Sequence, residues 1–196
     1  MNITTNDNVH LGAWFVLSDS FYTSPIVSPS TPSHASIASA LRLYPTVLYF
    51  HGNGGTRAVS FRVASYASYT TRLGANVLAL DYRGYADSEG TPTEDGLLRD
   101  ARAAWQWLID RGADPEDIVL VGQSLGTAVA TNLAHALAVE NEHVQNTYGP
   151  ADTKPRGLVL VAPFSSLATL LETYNLGGWI PLLKPLQSIP FAQSKI

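Results

Sequence analysis

The sequence predicts an α/β fold in which a mostly parallel sheet is covered by helices on both of its faces. Short apolar runs alternate along the chain with segments in which apolar residues recur at helical spacing. This is the pattern of strands joined by crossover helices. The runs are continuously apolar, as strands buried on both faces are. With 196 residues, 45% of them apolar, we expect a single domain over 1–196 with one core.

The composition excludes several classes of function. The net charge is −4, and the 12 basic and 16 acidic residues are spread along the chain, so no concentrated positive field favours a nucleic-acid partner. The chain has no cysteine, which excludes disulfides, thiolate metal ligands and a cysteine nucleophile. We therefore expect no metal site and no cofactor.

The sequence shows neither a targeting pattern nor a membrane-spanning pattern. The first nine residues are polar and lack the basic and apolar regions of a signal peptide. The longest apolar run, 158–164, is much shorter than the roughly 20 residues that span a bilayer. We therefore expect the chain as given to be soluble, and its cellular compartment stays undetermined.

The first predicted elements are two strands separated by a polar excursion. Residues 11–17 and 46–50 have strand patterns, and the second run is continuously apolar. Between them, 18–45 is rich in serine and contains Pro25, Pro29 and Pro32. Because such a composition cannot close a core, we predict a Ser/Pro-rich surface loop over 18–45.

Two helices are predicted in the middle of the chain, on either side of a buried strand at 76–80. Gly74 is expected to end a helix whose apolar stripe consists of Val59, Val63, Tyr66, Thr70 and Leu73. The second helix has Thr93 as its N-cap and Gly112 as its C-terminal stop. Its stripe consists of Leu97, Leu98, Ala101, Ala104, Trp105, Leu108 and Ile109.

The last predicted elements are a strand at 118–121, a helix that begins at Leu125 and a strand at 158–161. A polar stretch over 140–155 is expected to separate this helix from the last strand. From residue 174 onward, glycines and prolines interrupt an apolar segment, so no long helix can form there. We predict that 174–196 is a cap-like or unfinished tail.

The pentapeptide GQSLG at 122–126 lies at the predicted turn from strand to helix. Such a turn crowds the backbone around Ser124, and glycines two positions before and after it relieve the clash and leave the hydroxyl exposed. Ser124 is therefore a candidate nucleophile. A serine hydroxyl needs a base and hydrogen-bond donors for the developing oxyanion. The backbone N–H of Leu125, at the start of the helix, is one candidate donor.

A second glycine-rich turn, HGNGG at 51–55, directly follows the predicted strand 46–50. The backbone N–H of Asn53 is the candidate second donor to an oxyanion. Two alternatives stay open at this point. The turns could be ordinary strand-to-helix connections, or they could bind a phosphate. The second alternative is disfavoured because neither turn matches G-x-G-x-x-G or the lysine-containing phosphate loop.

Four motifs then occur in the order expected of one family. They are HGNGGT at 51–56, DYRGY with DSEGTP over 81–92, GQSLGT at 122–127 and APF at 162–164. With these motifs, residues 9–175 resemble the α/β-hydrolase-domain monoacylglycerol and lysophosphatidylserine lipases, whose wider group includes proteins labelled as S33-like serine aminopeptidases.

The resemblance implies an α/β-hydrolase fold and the hydrolysis of an ester or amide bond without a cofactor. It implies that Ser124 is the nucleophile, that Asn53 and Leu125 form the oxyanion hole, and that the substrate is a small acyl ester or lipid. Full-length relatives include membrane-anchored proteins, so the resemblance also raises association with a membrane such as the endoplasmic reticulum. By the same likeness, Asp81, Arg83 and Asp87 hold a loop above the site by ion pairs.

The sequence departs from the family pattern after Ser124. In the family, the acid and then the histidine of the triad follow on later strands, whereas the last of the five histidines here is His143. His51 belongs to the oxyanion turn, and His135 and His143 follow Ser124 on or just after its helix. We therefore assign no histidine to catalysis, and expect the chain to lack the last strand-helix units.

Three hypotheses follow from this departure. The first is a serine hydrolase whose acid and histidine are missing from this chain, so that the chain itself shows little turnover. The second is a pseudohydrolase that binds a lipid or a protein partner. The third is a phosphate- or nucleotide-binding module. The intact nucleophile and oxyanion motifs favour the first.

Overall fold

A computed structural model of the chain describes residues 1–25, 33–148, 154–164, 175–176 and 180–181. The first half contains strand β1 (Asn2–Thr4), β2 (His10–Val16), helices α1 (Asp19–Tyr22) and α2 (His34–Leu43), β3 (Thr46–Phe50), α3 (Ser60–Arg72) and β4 (Asn76–Leu80). The second half contains α4 (Glu94–Ile109), a 3₁₀ turn (Pro115–Asp117), β5 (Ile118–Gln123), α5 (Leu125–Tyr148), β6 (Gly157–Val161) and the short strands β7 (Asn175–Leu176) and β8 (Ile180–Pro181).

Six of these strands form one mixed sheet in the order β1-β2-β4-β3-β5-β6. The four strands from β4 to β6 run parallel, whereas β2 pairs antiparallel with both β1 and β4. The predicted mostly parallel sheet is therefore confirmed. Since the carboxyl ends of parallel strands meet at one edge, the turns after β3, β4 and β5 lie together, which is where open α/β sheets bind ligands.

Helices cover both faces of the sheet, as predicted. Alternate residues of a strand point to opposite faces, and the core accordingly divides into two clusters. Leu48 and Phe50 of β3 pack in one cluster with α4 and α5, whereas Val47 and Tyr49 pack in the other with Tyr66 of α3. β3 and β4 are buried along their whole length, so these strands form the centre of the molecule.

The prediction of a surface loop over 18–45 is wrong for the part of it that the structure describes. Helices α1 and α2 form there, with Ser18 and Ser33 as N-caps whose side chains accept from the backbone N–H groups of Phe21 and Ser36. Serine favours such caps, so the serine-rich composition marks helix starts. The remainder of this segment, 26–32, lies outside the described residues.

Asn76, at the start of β4, connects the segment 18–45 to the sheet through side-chain hydrogen bonds. Its side chain is fully buried and accepts a hydrogen bond from the backbone N–H of Ser18 at 3.1 Å. It donates to the backbone carbonyls of Ala40 at 3.0 Å and Tyr44 at 3.3 Å, near the end of α2. One side chain thereby satisfies buried polar groups of both helices, which would otherwise lose solvent without compensation.

The face that α3 buries differs from the predicted stripe. The buried residues are Arg62, Tyr66 and Thr70, whereas the side chains of Val63 and Leu73 are 41% and 65% exposed. Tyr66 and Thr70 of the predicted stripe are buried, but the third buried residue is Arg62, one position before the predicted Val63. A pattern of apolar residues misses Arg62 because its side chain is charged.

In the second half of the chain, the observed elements agree more closely with the predicted ones. α4 begins after its predicted N-cap Thr93, whose side chain accepts from the Gly96 N–H. Most of the predicted α4 stripe is buried. α5 continues to Tyr148, into the segment predicted to be a polar separator. Within the described parts of the chain, no helix has both the length and the apolar character needed to cross a bilayer.

Most of the predicted tail, 174–196, falls outside the described residues, so that prediction is untested apart from the pairing of β7 with β8. The expected absence of the last strand-helix units likewise stays a prediction.

We predict that Asn76→Ala lowers the free energy of unfolding by about 2–4 kcal/mol, because it leaves the buried N–H of Ser18 and the carbonyl of Tyr44 without their partner and removes one of two donors to the carbonyl of Ala40. Urea denaturation followed by circular dichroism measures the change. The matched control is Asn6→Ala, at an exposed position in the turn after β1, which should shift stability by less than about 0.5 kcal/mol. Equal stabilities for the two variants would contradict the role given to Asn76.

Candidate active site

Ser124 lies in a sharp turn between β5 and α5 and has a left-handed backbone conformation with φ of 51°. A non-glycine residue adopts this conformation at a cost of about 1–2 kcal/mol, so the surrounding structure must enforce it. A Cβ at position 126 would overlap the backbone carbonyl of Phe50, and one at 122 would overlap the backbone of Gly126 itself. Both glycines are therefore required by close backbone approach, as the sequence predicts.

The backbone of Ser124 is fixed on both sides of the turn. Its N–H donates to the carbonyl of Val161, the last residue of β6, at 2.9 Å. Its carbonyl accepts from the N–H of Thr127 at 2.8 Å and from the Thr127 hydroxyl at 2.6 Å. The side chain is half-buried. Within the described ranges, its hydroxyl makes no hydrogen bond to the protein, so it is free to meet a substrate and a base.

The loop 51–55 lies beside this turn, because β3 and β5 are adjacent parallel strands with Phe50 opposite Gly122. A side-chain hydrogen bond links the two: the N–H of Gly52 donates to Oε1 of Gln123 at 3.0 Å. Asn53 is exposed, and its Oδ1 accepts from the hydroxyl of Tyr85 at 2.7 Å. These contacts fix the loop relative to Ser124.

The two predicted donors, the N–H groups of Asn53 and Leu125, are therefore presented from neighbouring turns at the same edge of the sheet. Leu125 is the first residue of α5, where backbone N–H groups have no intrahelical acceptor. The described part of the chain likewise offers no hydrogen-bond acceptor to the N–H of Asn53. Both groups are thus available to a ligand.

His51 is buried beneath the loop and is committed to contacts inside the protein. Its Nδ1 lies 2.8 Å from the carbonyl oxygen of Gly52, and its Nε2 lies 3.0 Å from Oδ1 of Asp81, without the alignment of a hydrogen bond. Its ring packs against Tyr82 and Tyr85 at centroid distances of 4.4 and 5.4 Å. These contacts fit the expectation that His51 shapes the turn rather than acting as the base.

The loop after β4 is held by ion pairs, as expected from the sequence, but Asp81 and Asp87 pair with Arg57 rather than with Arg83. The guanidinium of Arg57 bridges Asp81, which is fully buried, and Asp87, at 2.7 and 3.1 Å from the two oxygens of Asp87. Its backbone N–H also donates to Asp81 at 2.7 Å. The hydrogen bonds from Arg57 lower the pKa of the Asp87 carboxyl below its usual value.

Arg83 belongs to a second group of charges. It donates to Asp100 of α4 through both its backbone N–H and its Nε, each at 2.8 Å, and to Asp7 at 2.9 Å. Burial raises the pKa of Asp100 despite the hydrogen bonds from Arg83, whereas the hydrogen bond from Arg83 lowers the pKa of Asp7. These pairs join the loop after β4 to α4 and to the β1–β2 turn.

Three residues of the site were missed at the sequence level: Arg57, Arg62 and Gln123. Gln123 occupies the variable position of the pentapeptide, where a motif carries no information about the side chain. Arg57 follows the glycine-rich turn in a segment without periodicity. Arg62 gave a usable signal, because it lies four and eight residues before Tyr66 and Thr70 on the buried face of α3.

The described residues hold no cluster of three or more side chains suited to a metal ion. A cavity of about 480 Å³ lies between β1 and α4, and it is lined by residues such as Ile3, Arg102 and Trp107. No residue of the two glycine-rich turns lines it. The cavity is therefore separate from Ser124.

Comparisons with known proteins show the family and the fold. A model of the alpha/beta hydrolase family matches residues 47–193. The chain is 33% identical over 161 residues to the lysophosphatidylserine lipase ABHD12 of Danio rerio, which covers 82% of this chain and 38% of the relative. It is 39% identical over 124 residues to the Bos taurus protein of the same name, which covers 63% and 28%.

Among solved structures, an alpha-beta hydrolase from Vibrio vulnificus superposes with a TM-score of 0.54 at 28% identity, covering 76% of this chain and 48% of that one. The chain thus spans less than half the length of each of these three relatives.

We predict that Gly126→Ala lowers the free energy of unfolding by about 2–4 kcal/mol, because the added methyl group overlaps the backbone of β3. Chemical denaturation measures the loss. Gly157→Ala, at the start of β6, is the matched control, since a Cβ there meets no atom within 4 Å. If both variants were equally stable, the close approach at residue 126 would not constrain the turn.

We predict that the Asp87–Arg57 pair makes stability depend on pH. Because the folded pKa of Asp87 lies below its ordinary value of 3.8, the stabilisation is present above that value and is lost as the pH falls through the folded pKa. The difference in unfolding free energy between wild type and Asp87→Asn should be constant above about pH 5 and shrink below about pH 4.

Thermal or urea unfolding from pH 7 to pH 2 measures this difference. Asp110→Asn serves as control, because it removes an exposed carboxylate that forms no ion pair within the described ranges. A difference that persisted unchanged to pH 2 would contradict an ionic contribution from Asp87.

Proposed function

Because the chain belongs to the alpha/beta hydrolase family, we propose that it carries the nucleophile and oxyanion hole of a serine hydrolase that cleaves acyl esters. The observation that supports this most strongly is the strained backbone of Ser124, with φ of 51° in the turn between a parallel strand and a helix. Strain of this kind is kept where it serves a site. Here it presents a hydroxyl beside two backbone N–H groups without acceptors.

In the proposed reaction, Oγ of Ser124 attacks the ester carbonyl carbon while its proton passes to a general base. The carbonyl oxygen becomes an oxyanion, which accepts hydrogen bonds from the N–H groups of Asn53 and Leu125. The dipole of α5 adds to this, because its positive end lies at Leu125. Collapse of the tetrahedral intermediate expels the alcohol and leaves an acyl ester on Ser124, which water then hydrolyses.

Neither His51 nor His135, the two described histidines considered for this role, is placed to act as the base. His51 is buried with both ring nitrogens against acceptors. His135 lies eleven residues beyond Ser124 on α5, about 16 Å away at 1.5 Å per residue. We therefore assign the histidine and the acid of the triad to residues outside this sequence, contributed in the complete protein.

The proposed substrate is a lipid ester with one acyl chain, such as a monoacylglycerol or a lysophospholipid. The support is the similarity to two proteins named lysophosphatidylserine lipase, which together with the motifs around Ser124 and Asn53 favours this class. The second candidate function is a pseudohydrolase that retains the site to bind a lipid or protein. The position of His51, which cannot serve Ser124 while it is held by Gly52 and Asp81, favours this alternative.

We predict that a fluorophosphonate probe labels Ser124 when the triad base is present, because the probe reacts only with an activated serine hydroxyl. Labelling is measured by mass spectrometry on the 196-residue chain and on the product of its complete natural gene. Ser124→Ala should abolish the signal. Ser60→Ala, at an exposed position at the start of α3, should leave it unchanged.

Three results separate the hypotheses. Labelling of the complete product but not of the 196-residue chain supports the proposed hydrolase with an external base. Absence of labelling in both, with saturable binding of a lysophospholipid, supports the pseudohydrolase. Absence of both labelling and binding contradicts both functions.

A further inference from the structure

Arg62 is the most deeply buried arginine in the described part of the chain, with a residue exposure of 2%. It lies in the first turn of α3 and reaches under the loop 51–55. No carboxylate among the described residues forms an ion pair with it, because Arg57 occupies both Asp81 and Asp87. A buried charge without a counter-charge is costly, so its position needs an explanation.

The guanidinium of Arg62 is surrounded by backbone carbonyls of the oxyanion loop. Nη1 donates to the carbonyl of Thr56 at 2.7 Å, and Nη2 donates to the carbonyls of Gly52 and Gly54, each at 3.1 Å. All three acceptors belong to one short loop, so the side chain fixes the shape of that loop. Its Nε, by contrast, has no partner among the described residues.

One of these carbonyls belongs to the peptide unit that presents the proposed oxyanion donor. The carbonyl of Gly52 and the N–H of Asn53 are the two ends of the same planar, conjugated amide. The Gly52 oxygen lies within hydrogen-bonding distance of both Nη2 of Arg62 and Nδ1 of His51, at 3.1 and 2.8 Å. A donor at the oxygen of an amide polarises the group and strengthens its N–H as a donor.

We propose that Arg62 is a positioning residue for the oxyanion hole, which holds the 52–53 peptide in place and polarises it through the Gly52 carbonyl, making the Asn53 N–H a stronger donor. The inference rests on the proposed function for its catalytic consequence. Arg62 does not touch the reacting atoms. The positive charge of Arg62 stabilises the oxyanion through the 52–53 amide. Because the side chain is buried, water screens this interaction little.

Hydroxide-catalysed hydrogen exchange of the Asn53 amide tests polarisation without any need for catalysis. Asn53 is exposed, and its N–H has no acceptor in the described structure, so its exchange rate reports the acidity of the amide. Arg62→Gln keeps a neutral donor and removes the charge, and we expect exchange about tenfold slower. Arg62→Lys keeps the charge and should exchange near the wild-type rate. Arg72→Gln, at the exposed end of α3, is the matched control.

The sign of the change separates polarisation from simple support of the loop. If Arg62 only held the loop, its replacement would leave the exchange of an already free N–H unchanged or make it faster. Either result in Arg62→Gln would overturn the inference. Should this variant fail to fold, as judged by circular dichroism, the comparison is made with citrulline at position 62, which has the shape of arginine without its charge.

Fluorophosphonate kinetics on the complete gene product test the catalytic consequence. We expect Arg62→Gln to lower the rate constant for modification of Ser124 by about tenfold, with the apparent affinity for the probe unchanged, because the oxyanion forms only in the reaction. Arg62→Lys should recover part of the loss. A wild-type protein that is not labelled counts against the proposed function, whereas equal rate constants for wild type and Arg62→Gln count against the role of Arg62.

Discussion

The arrangement at the sheet edge depends on one steric constraint, the approach of the α5 turn to the backbone of β3. A side chain at residue 126 would collide with the carbonyl of Phe50, and one at 122 would collide with the turn itself. The parallel register of β3 with β5 then fixes the loop 51–55 beside Ser124. Once two glycines permit this approach, the nucleophile and both candidate N–H donors lie at the ends of adjacent strands, on the most buried part of the sheet.

Buried charged side chains further fix the loops that the strand register brings together at the sheet edge. Arg57 takes both nearby carboxylates, Asp81 and Asp87, and so fixes the loop after β4. Arg62 instead donates hydrogen bonds to three backbone carbonyls of the loop 51–56 and lies over the ring of Phe61. Two arginines five residues apart thus have different electrostatic environments: Arg57 contacts two carboxylates, whereas Arg62 forms no ion pair among the described residues. Buried ion pairs contribute little net stability, which is why we interpret these contacts by what they position.

Strand positions and the nucleophile turn could be predicted from the sequence because they depend on local rules. Continuous apolar runs are typical of strands in a parallel sheet, and the spacing of glycines around Ser124 reflects the crowding of one turn. The predictions for 18–45 and for α3 were wrong where a polar or charged residue has a structural role that hydrophobic patterns do not predict. Serines of 18–45 cap helices, and a buried asparagine, Asn76, adds hydrogen bonds to the apolar contacts between those helices and the sheet. Arg62 lies on the buried face of α3 with Tyr66 and Thr70, a position where the pattern did not predict a charged residue.

The sequence by itself determined the fold class, the order of its principal strands and helices and the two turns that present Ser124 and Asn53, because periodicity and glycine spacing act over a few residues. Only the tertiary structure decided which charges meet, since residue 57 lies in the loop after β3 whereas residues 81 and 87 lie in the loop after β4. It also decided that Gln123 joins the two turns and that Arg62 faces the Gly52 carbonyl. Such contacts depend on three-dimensional distances between segments, which no local pattern encodes.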